Sequence, residues 1–255
     1  PIVSLESRDW IDSTSKTRYE VLQNARLWGV STFYMPFISE GGFFDKNKSQ
    51  FTRWQWRMAR QAQSSFAHYE TATVYEGQGS QVYKAYWQDL FRWGGGNPKV
   101  ATFHPYWDNA KFLEVGGLGQ DTLVSCYVQA GKVLLIASNR KKDPSTARIT
   151  LNLAALGLPA NVKATEWDSS FEPPPGEDFH GLGNVQKESE ALLEASDAMA
   201  LETNVATAGQ DLLGGPLADD KQTAAADRAK YTPTLSNGVL TLPIRGRDFR
   251  VIALE

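Results

Sequence analysis

Thr122-Leu-Val-Ser-Cys-Tyr-Val-Gln-Ala-Gly-Lys-Val-Leu-Leu-Ile-Ala-Ser-Asn139 decides the fold class of the C-terminal part of this chain. Two apolar runs rich in β-branched and aromatic residues flank Ala130-Gly131, a two-residue turn signal, so an antiparallel hairpin is expected, with strands 122–129 and 132–139. The same pattern extends outward. Residues 100–106, 147–153, 162–167, 239–244 and 249–254 are short runs of strand composition between turn residues, and Ser236-Asn237-Gly238 is another turn before a strand. Residues 98–255 therefore read as an antiparallel β-sandwich. Residues 169–234 interrupt it with Pro173-Pro174-Pro175, many Ala, Asp and Glu, and one helical pattern from about 187 to 201. This stretch reads as a long insertion, partly loop.

Upstream of residue 97 the period changes. Thr17-Arg-Tyr-Glu20 is a capping box, in which the Thr hydroxyl and the Glu carboxylate each satisfy an orphan backbone N–H. Val21, Leu22, Ala25 and Trp28 then recur at helical spacing up to Gly29. Residues 30–38 have the β-branched and aromatic composition of a buried strand. A helix is expected over 51–69, a short strand over 71–75, and a third helix carrying Val82, Tyr83, Tyr86, Trp87, Leu90 and Phe91, stopped by Gly94-Gly95-Gly96. Alternating helices and strands predict a parallel α/β arrangement for residues 1–97, and 255 residues suit one to two domains.

Composition removes several function classes. With 42% hydrophobic and 22% charged residues, no run approaches the roughly 20 unbroken apolar residues of a spanning helix, so no membrane association is expected. Lys and Arg total 26 against 29 Asp and Glu, so the net charge of -3 offers no basic field for phosphates, and nucleic acid is not an expected partner. Cys126, the single cysteine, excludes an intramolecular disulfide and reads as a buried inert thiol. His68, His104 and His180 lie in unrelated segments without zinc-ligand spacing; no metal is expected, and the first two read as structural or surface residues. Gly77-Gln78-Gly79 would need glycine at 82 to complete a dinucleotide fingerprint, and Val82 stands there; no G-x-S-x-G elbow exists either. No cofactor is expected. The chain opens Pro1-Ile2-Val3, without the pattern of a signal peptide, which reads as a processed, trimmed or incomplete start.

Two carboxylates follow the upstream strands. Glu40 comes just after residues 30–38 and Glu76 just after 71–75. Barrel enzymes gather their chemistry at the C-terminal ends of strands, and glycosidic hydrolysis needs one carboxylic acid and one carboxylate about 5 to 9.5 Å apart. Trp10, Phe43 and Tyr75 in the same loops suit the C–H faces of a sugar, making carbohydrate the expected partner. The bland alternative is that Glu40 and Glu76, like Asp9, Asp12 and Asp45 in similar loops, are solvated or sit at helix starts. Trp54 or Trp56, together with Trp87 and Trp93, read as core.

Lys132-Val-Leu-Leu-Ile-Ala-Ser-Asn139, Ala147-Arg-Ile-Thr-Leu-Asn-Leu153 with Leu156-Gly-Leu158, Thr165-Glu-Trp-Asp168 and Leu240-Thr-Leu-Pro-Ile-Arg-Gly-Arg-Asp-Phe-Arg-Val-Ile-Ala-Leu254 together resemble the C-terminal β-sandwich of bacterial glycoside hydrolases. The resemblance implies that a catalytic (β/α)8 barrel precedes the sandwich and that residues 30–38 and 71–75 are its last two strands. The expected fold is then α/β plus all-β: a partial (β/α) barrel-like segment followed by an antiparallel sandwich. It implies hydrolysis of a polysaccharide, Glu40 at the position where many retaining glycosidases carry their nucleophile, and an extracellular or periplasmic location. A full barrel takes roughly 250 residues, and about 97 precede the sandwich here. The resemblance therefore implies the C-terminal portion of a longer enzyme, without the acid usually borne on the fourth strand. A non-catalytic carbohydrate-binding protein is the alternative, and a partner-binding arm at 169–234 a third reading.

Overall fold

A computed structural model describes residues 3–6, 32–35, 53–68, 80–116, 122–141, 143–172 and 229–255. The chain forms two compact units, with one division falling between Ala59 and Arg60. Among the described residues of the first unit, β1 (Val3–Glu6) and β2 (Thr32–Met35) pair in parallel, with Val3 opposite Thr32 and Glu6 opposite Met35. A parallel pair needs a crossover connection rather than a tight turn, and residues 7–31, which include the expected helix at 17–28, lie outside the described residues. The expected strand at 30–38 is thus seen as four residues. Strand β1 was not anticipated, because four residues are too few for alternation to stand out. The expected partial barrel is not shown: among the described residues the parallel component is one strand pair. The expected strand at 71–75 and the helical pattern at 187–201 lie outside the described residues.

Helix α1 (Arg53–Phe66) fulfils the expected second helix and α2 (Ser80–Trp93) the third. Among the described residues, the second unit contains α1 from Arg60 onward, α2 from Val82 onward, and nine antiparallel strands: β3 (Thr102–His104), β4 (Leu113–Gly116), β5 (Thr122–Gln129), β6 (Lys132–Asn139), β7 (Ser145–Leu151), β8 (Ala164–Glu166), β9 (Thr234–Ser236), β10 (Val239–Ile244) and β11 (Asp248–Leu254), with the one-turn helix α3 (Leu153–Leu156) after β7. Two sheets result, one ordered β3-β5-β6-β11-β8 and the other β4-β7-β10-β9. Strands β4 and β9 are additions to the expected set, each too short to register as a periodic run.

The sheets share one core. Val124 and Cys126 of β5, Val133, Leu135 and Ala137 of β6, and Ile252 and Leu254 of β11 meet Leu113, Ala147, Ile149, Leu151, Leu240, Leu242 and Ile244 of the opposite sheet. Each large aliphatic side chain withdrawn from water there contributes about 2 kcal/mol. The two sheets differ in their outer faces. Strands β7 and β10 alternate buried with more exposed positions, as a sheet with one wet face must, whereas β6 and β11 are buried almost throughout. The helices explain the difference. Tyr86 of α2 meets Phe249 edge to face at 5.8 Å, the Arg60 guanidinium lies 4.2 Å from the centre of the same ring, and Gln129 of β5 donates to the Trp93 carbonyl. Trp93 and Trp56 are buried as expected, while Trp87 is half-buried.

Turn chemistry sets the register. Gln129 pairs with Lys132 across Ala130-Gly131, with Gly131 at φ +74°. Pro243 sits inside β10, yet β9 pairs only with Val239–Thr241, so the missing N–H faces the side where the third strand has ended. Its carbonyl, left without a ladder partner, accepts from Arg250 Nη1.

Candidate functional site

Glu40, Glu76, Trp10, Phe43 and Tyr75 all lie outside the described residues, as do Asp9, Asp12 and Asp45. The described strands from which two of their loops depart are β1 and β2. Because the pair is parallel and Glu6 stands opposite Met35, both strands end at the same edge of their sheet. Trp10 is four residues beyond the end of β1 and Glu40 five beyond the end of β2.

The described residues hold two buried polar clusters, both in the second unit. Arg60 is wholly buried and spends all five of its N–H bonds: Nε on Asp248 Oδ1, Nη1 on Asp168 Oδ1 and Ser170 Oγ, and Nη2 on Asp168 Oδ2 and the Phe249 carbonyl. Burial pulls against its charge, but the Asp168 and Asp248 carboxylates prevail and hold its pKa above the ordinary arginine value. Asp168 Oδ1 also accepts from the Ser170 amide and hydroxyl, an arrangement that curls residues 168–170 around the guanidinium. Arg245 and Arg250 stack on Phe171 at 4.0 and 4.3 Å, and Arg250 pairs with Glu166. Burial raises the Glu166 pKa, against the pull of Arg250. With every donor engaged and no solvent contact, Arg60 holds structure together and has no hydrogen left for a ligand.

His68 forms the second cluster. Its Nδ1 is 2.8 Å from Ser125 Oγ and its Nε2 is 2.7 Å from Ser138 Oγ. Ser138 gives its one hydroxyl proton to the Ser64 carbonyl, so it accepts from Nε2–H; Ser125 accepts from the Tyr106 amide and is also hydrogen-bonded to Nδ1. These bonds tie the turn after α1 to β5 and β6, and the buried ring is not placed to act as a base on a substrate. His104 stacks on Phe112 with ring centres 4.4 Å apart, and burial lowers its pKa. Both histidines are thus structural. Cys126 is buried mid-strand and burial pushes its thiol up to about 12, so it is inert. Among the described residues no group of three or more His, Cys, Asp and Glu is arranged to hold a metal ion.

Reading apolar periodicity did not find the Arg60 cluster, because its members are charged and far apart in sequence. The available signal was the concentration of charge in two strand-bounded segments, Glu166-Trp167-Asp168 and Arg245-Gly246-Arg247-Asp248.

No protein-family model matches the sequence, and no curated protein matches it. Among solved structures, a GH30 endoxylanase from Clostridium papyrosolvens C71 aligns with a TM-score of 0.40 and 7% identity over 99% of this chain and 48% of that one. The chain spans about half the length of that structure.

Proposed function

We propose that the chain is the C-terminal portion of a glycoside hydrolase acting on a polysaccharide, with its chemistry in residues 1–97 and a supporting β-sandwich in residues 98–255. The observation that carries this reading is the parallel pairing of Val3–Glu6 with Thr32–Met35. A parallel strand pair is the unit from which α/β enzymes are built, and their catalytic residues follow such strands. The resemblance of strands β6, β7, β10 and β11 to a glycosidase sandwich supports it from the other end of the chain.

In this reading Glu40 is the nucleophile or base and Glu76 the general acid, with Trp10, Phe43 and Tyr75 stacking on the sugar. An acid must stay protonated near neutral pH, which requires desolvation or a neighbouring negative charge to raise its pKa. Two carboxyl groups about 5 Å apart would act with retention through a covalent intermediate; a wider gap would admit a water and invert.

The test is hydrolysis of a panel of plant and microbial polysaccharides by the purified protein, repeated with Glu40→Gln and Glu76→Gln. The expected result is turnover in the parent and a loss of orders of magnitude in each variant, with glycan binding retained. Binding without hydrolysis by the parent would instead identify a non-catalytic carbohydrate-binding protein. Full activity in both variants would remove these two residues from the mechanism.

A further inference from the structure

The hairpin between β9 and β10 turns on Asn237-Gly238. Ser236 pairs with Val239, so these two residues alone form the loop, and their φ angles of +51° and +73° are those of a type I′ turn. Asn tolerates the left-handed conformation and Gly takes it freely. Asn237 is exposed, and it is the one asparagine of the chain that is followed by glycine. A residue without Cβ is the least obstructive neighbour a side-chain amide can have.

We propose that Asn237 converts spontaneously to aspartate and isoaspartate in the folded protein, and that the isoaspartyl form loosens the β7-β10-β9 edge of the four-stranded sheet. The Gly238 backbone nitrogen gives up its proton and attacks Asn237 Cγ. The Cγ–Nδ2 bond breaks, Nδ2 leaves as ammonia with that proton, and a five-membered succinimide remains. Water then opens the ring. Addition at Cγ restores the normal backbone and produces aspartate; addition at the main-chain carbonyl carbon routes the backbone through Cγ and produces isoaspartate. The net change is one amide and one water to one carboxylate and one ammonium ion.

A left-handed Asn237 must relax towards an extended conformation before the Gly238 nitrogen can reach Cγ, so the turn has to open first. The structure makes that opening cheap. Strand β9 is three residues long, lies at the sheet edge, and has Thr234 and Ser236 exposed. A short edge hairpin opens at far lower cost than the whole domain. The consequence reaches further than the turn. The Gly238 carbonyl accepts from the Leu151 amide at 2.8 Å, tying the turn to the end of β7, and Leu240, two residues on, belongs to the shared core. An extra methylene in a two-residue loop displaces that carbonyl and leaves the Leu151 N–H without its acceptor.

The experiment is to incubate the full-length protein at neutral and mildly alkaline pH and follow the tryptic peptide 231–245 by mass spectrometry, with amide exchange at Leu151 as a second readout. Asn237 is expected to react before any other asparagine, with the mass shift of one NH replaced by O, two chromatographically distinct products, and faster conversion at the higher pH. Exchange at Leu151 should quicken in the aged protein and stay unchanged in aged Asn237→Gly, which keeps a permitted turn and has no amide to lose, and in fresh Asn237→Asp, which has the charge without the methylene. An unmodified peptide after a time that fully converts the same peptide free in solution would overturn the proposal. Modification that leaves Leu151 exchange unaltered would overturn its structural half.

Discussion

Arg60 and Asp168 form a two-pronged ion pair, with Nη1 to Oδ1 at 3.1 Å and Nη2 to Oδ2 at 2.7 Å, and neither side chain has appreciable contact with water. The fork-to-fork geometry joins a helix to the segment after β8, and Asp248 at the start of β11 closes the triad through Arg60 Nε. Replacing Arg60 by Met leaves the buried Asp168 without its cation and Asp248 with only the longer pairing to Arg245 Nη1 at 3.4 Å, a loss of about 3–5 kcal/mol. Arg60→Lys keeps the charge but not the five-donor fork, and should fall between. Chemical denaturation measures both. The triple change Arg60→Met, Asp168→Asn, Asp248→Asn should recover part of the loss; no recovery would mean that the carboxylates are not the source of the cost.

Asp89 makes stability depend on pH. It is buried on α2, and burial raises its pKa although the Ser169 amide donates to it at 2.7 Å and Arg92 stands nearby. A raised pKa means that the folded chain holds the proton more tightly than the unfolded chain. The stabilisation is complete below the ordinary aspartate value of about 3.9 and is lost as pH rises from there through the raised folded value. Asn in its place accepts the same amide and does not titrate. The denaturation midpoint of the parent, relative to Asp89→Asn, should therefore be higher in the acid part of this window than at neutral pH; a constant difference would contradict the assignment.

Gly157 ends α3 at φ +67°, where its amide bonds back to the Ala154 carbonyl, and an added Cβ would meet nothing within 4 Å. Gly131, at φ +74° in the β5–β6 turn, has the same open surroundings. With steric conflict absent, the only penalty for Ala is the left-handed backbone itself, about 1 kcal/mol at each position. Because no partner is shared, the two losses should add in the double variant. A cost of several kcal/mol from either alone would point to a contact that the geometry does not contain.

A chain beginning at residue 98 lacks Arg60, His68 and Tyr86. That removes the cation between Asp168 and Asp248, the ring between Ser125 and Ser138, and the aromatic cover over Phe249. Such a chain should bind hydrophobic dyes and exchange its β5, β6 and β11 amides quickly, whereas one beginning at residue 53 should protect them. Cooperative unfolding and full protection in the shorter chain would show that the five-stranded sheet does not need its helices.

The hairpin at 122–139 and the strand at 239–244 were legible in the linear order of residues, because two-residue turns and runs of β-branched side chains are local. So were the two helices at 53–66 and 80–93, whose apolar residues repeat within a few positions. Local sequence could not say why Lys132–Asn139 is buried at nearly every position while Ser145–Leu151 alternates. That difference depends on which sheet receives the helices, and the residues responsible lie up to 188 positions apart, as Arg60 and Asp248 do. The same limit applies to function. Glu40 and Glu76 were chosen by residue type and by their place after apolar runs, which sequence can supply. Only the tertiary structure showed that β1 and β2 pair in parallel, because strand direction is a relation between segments, decided when they meet.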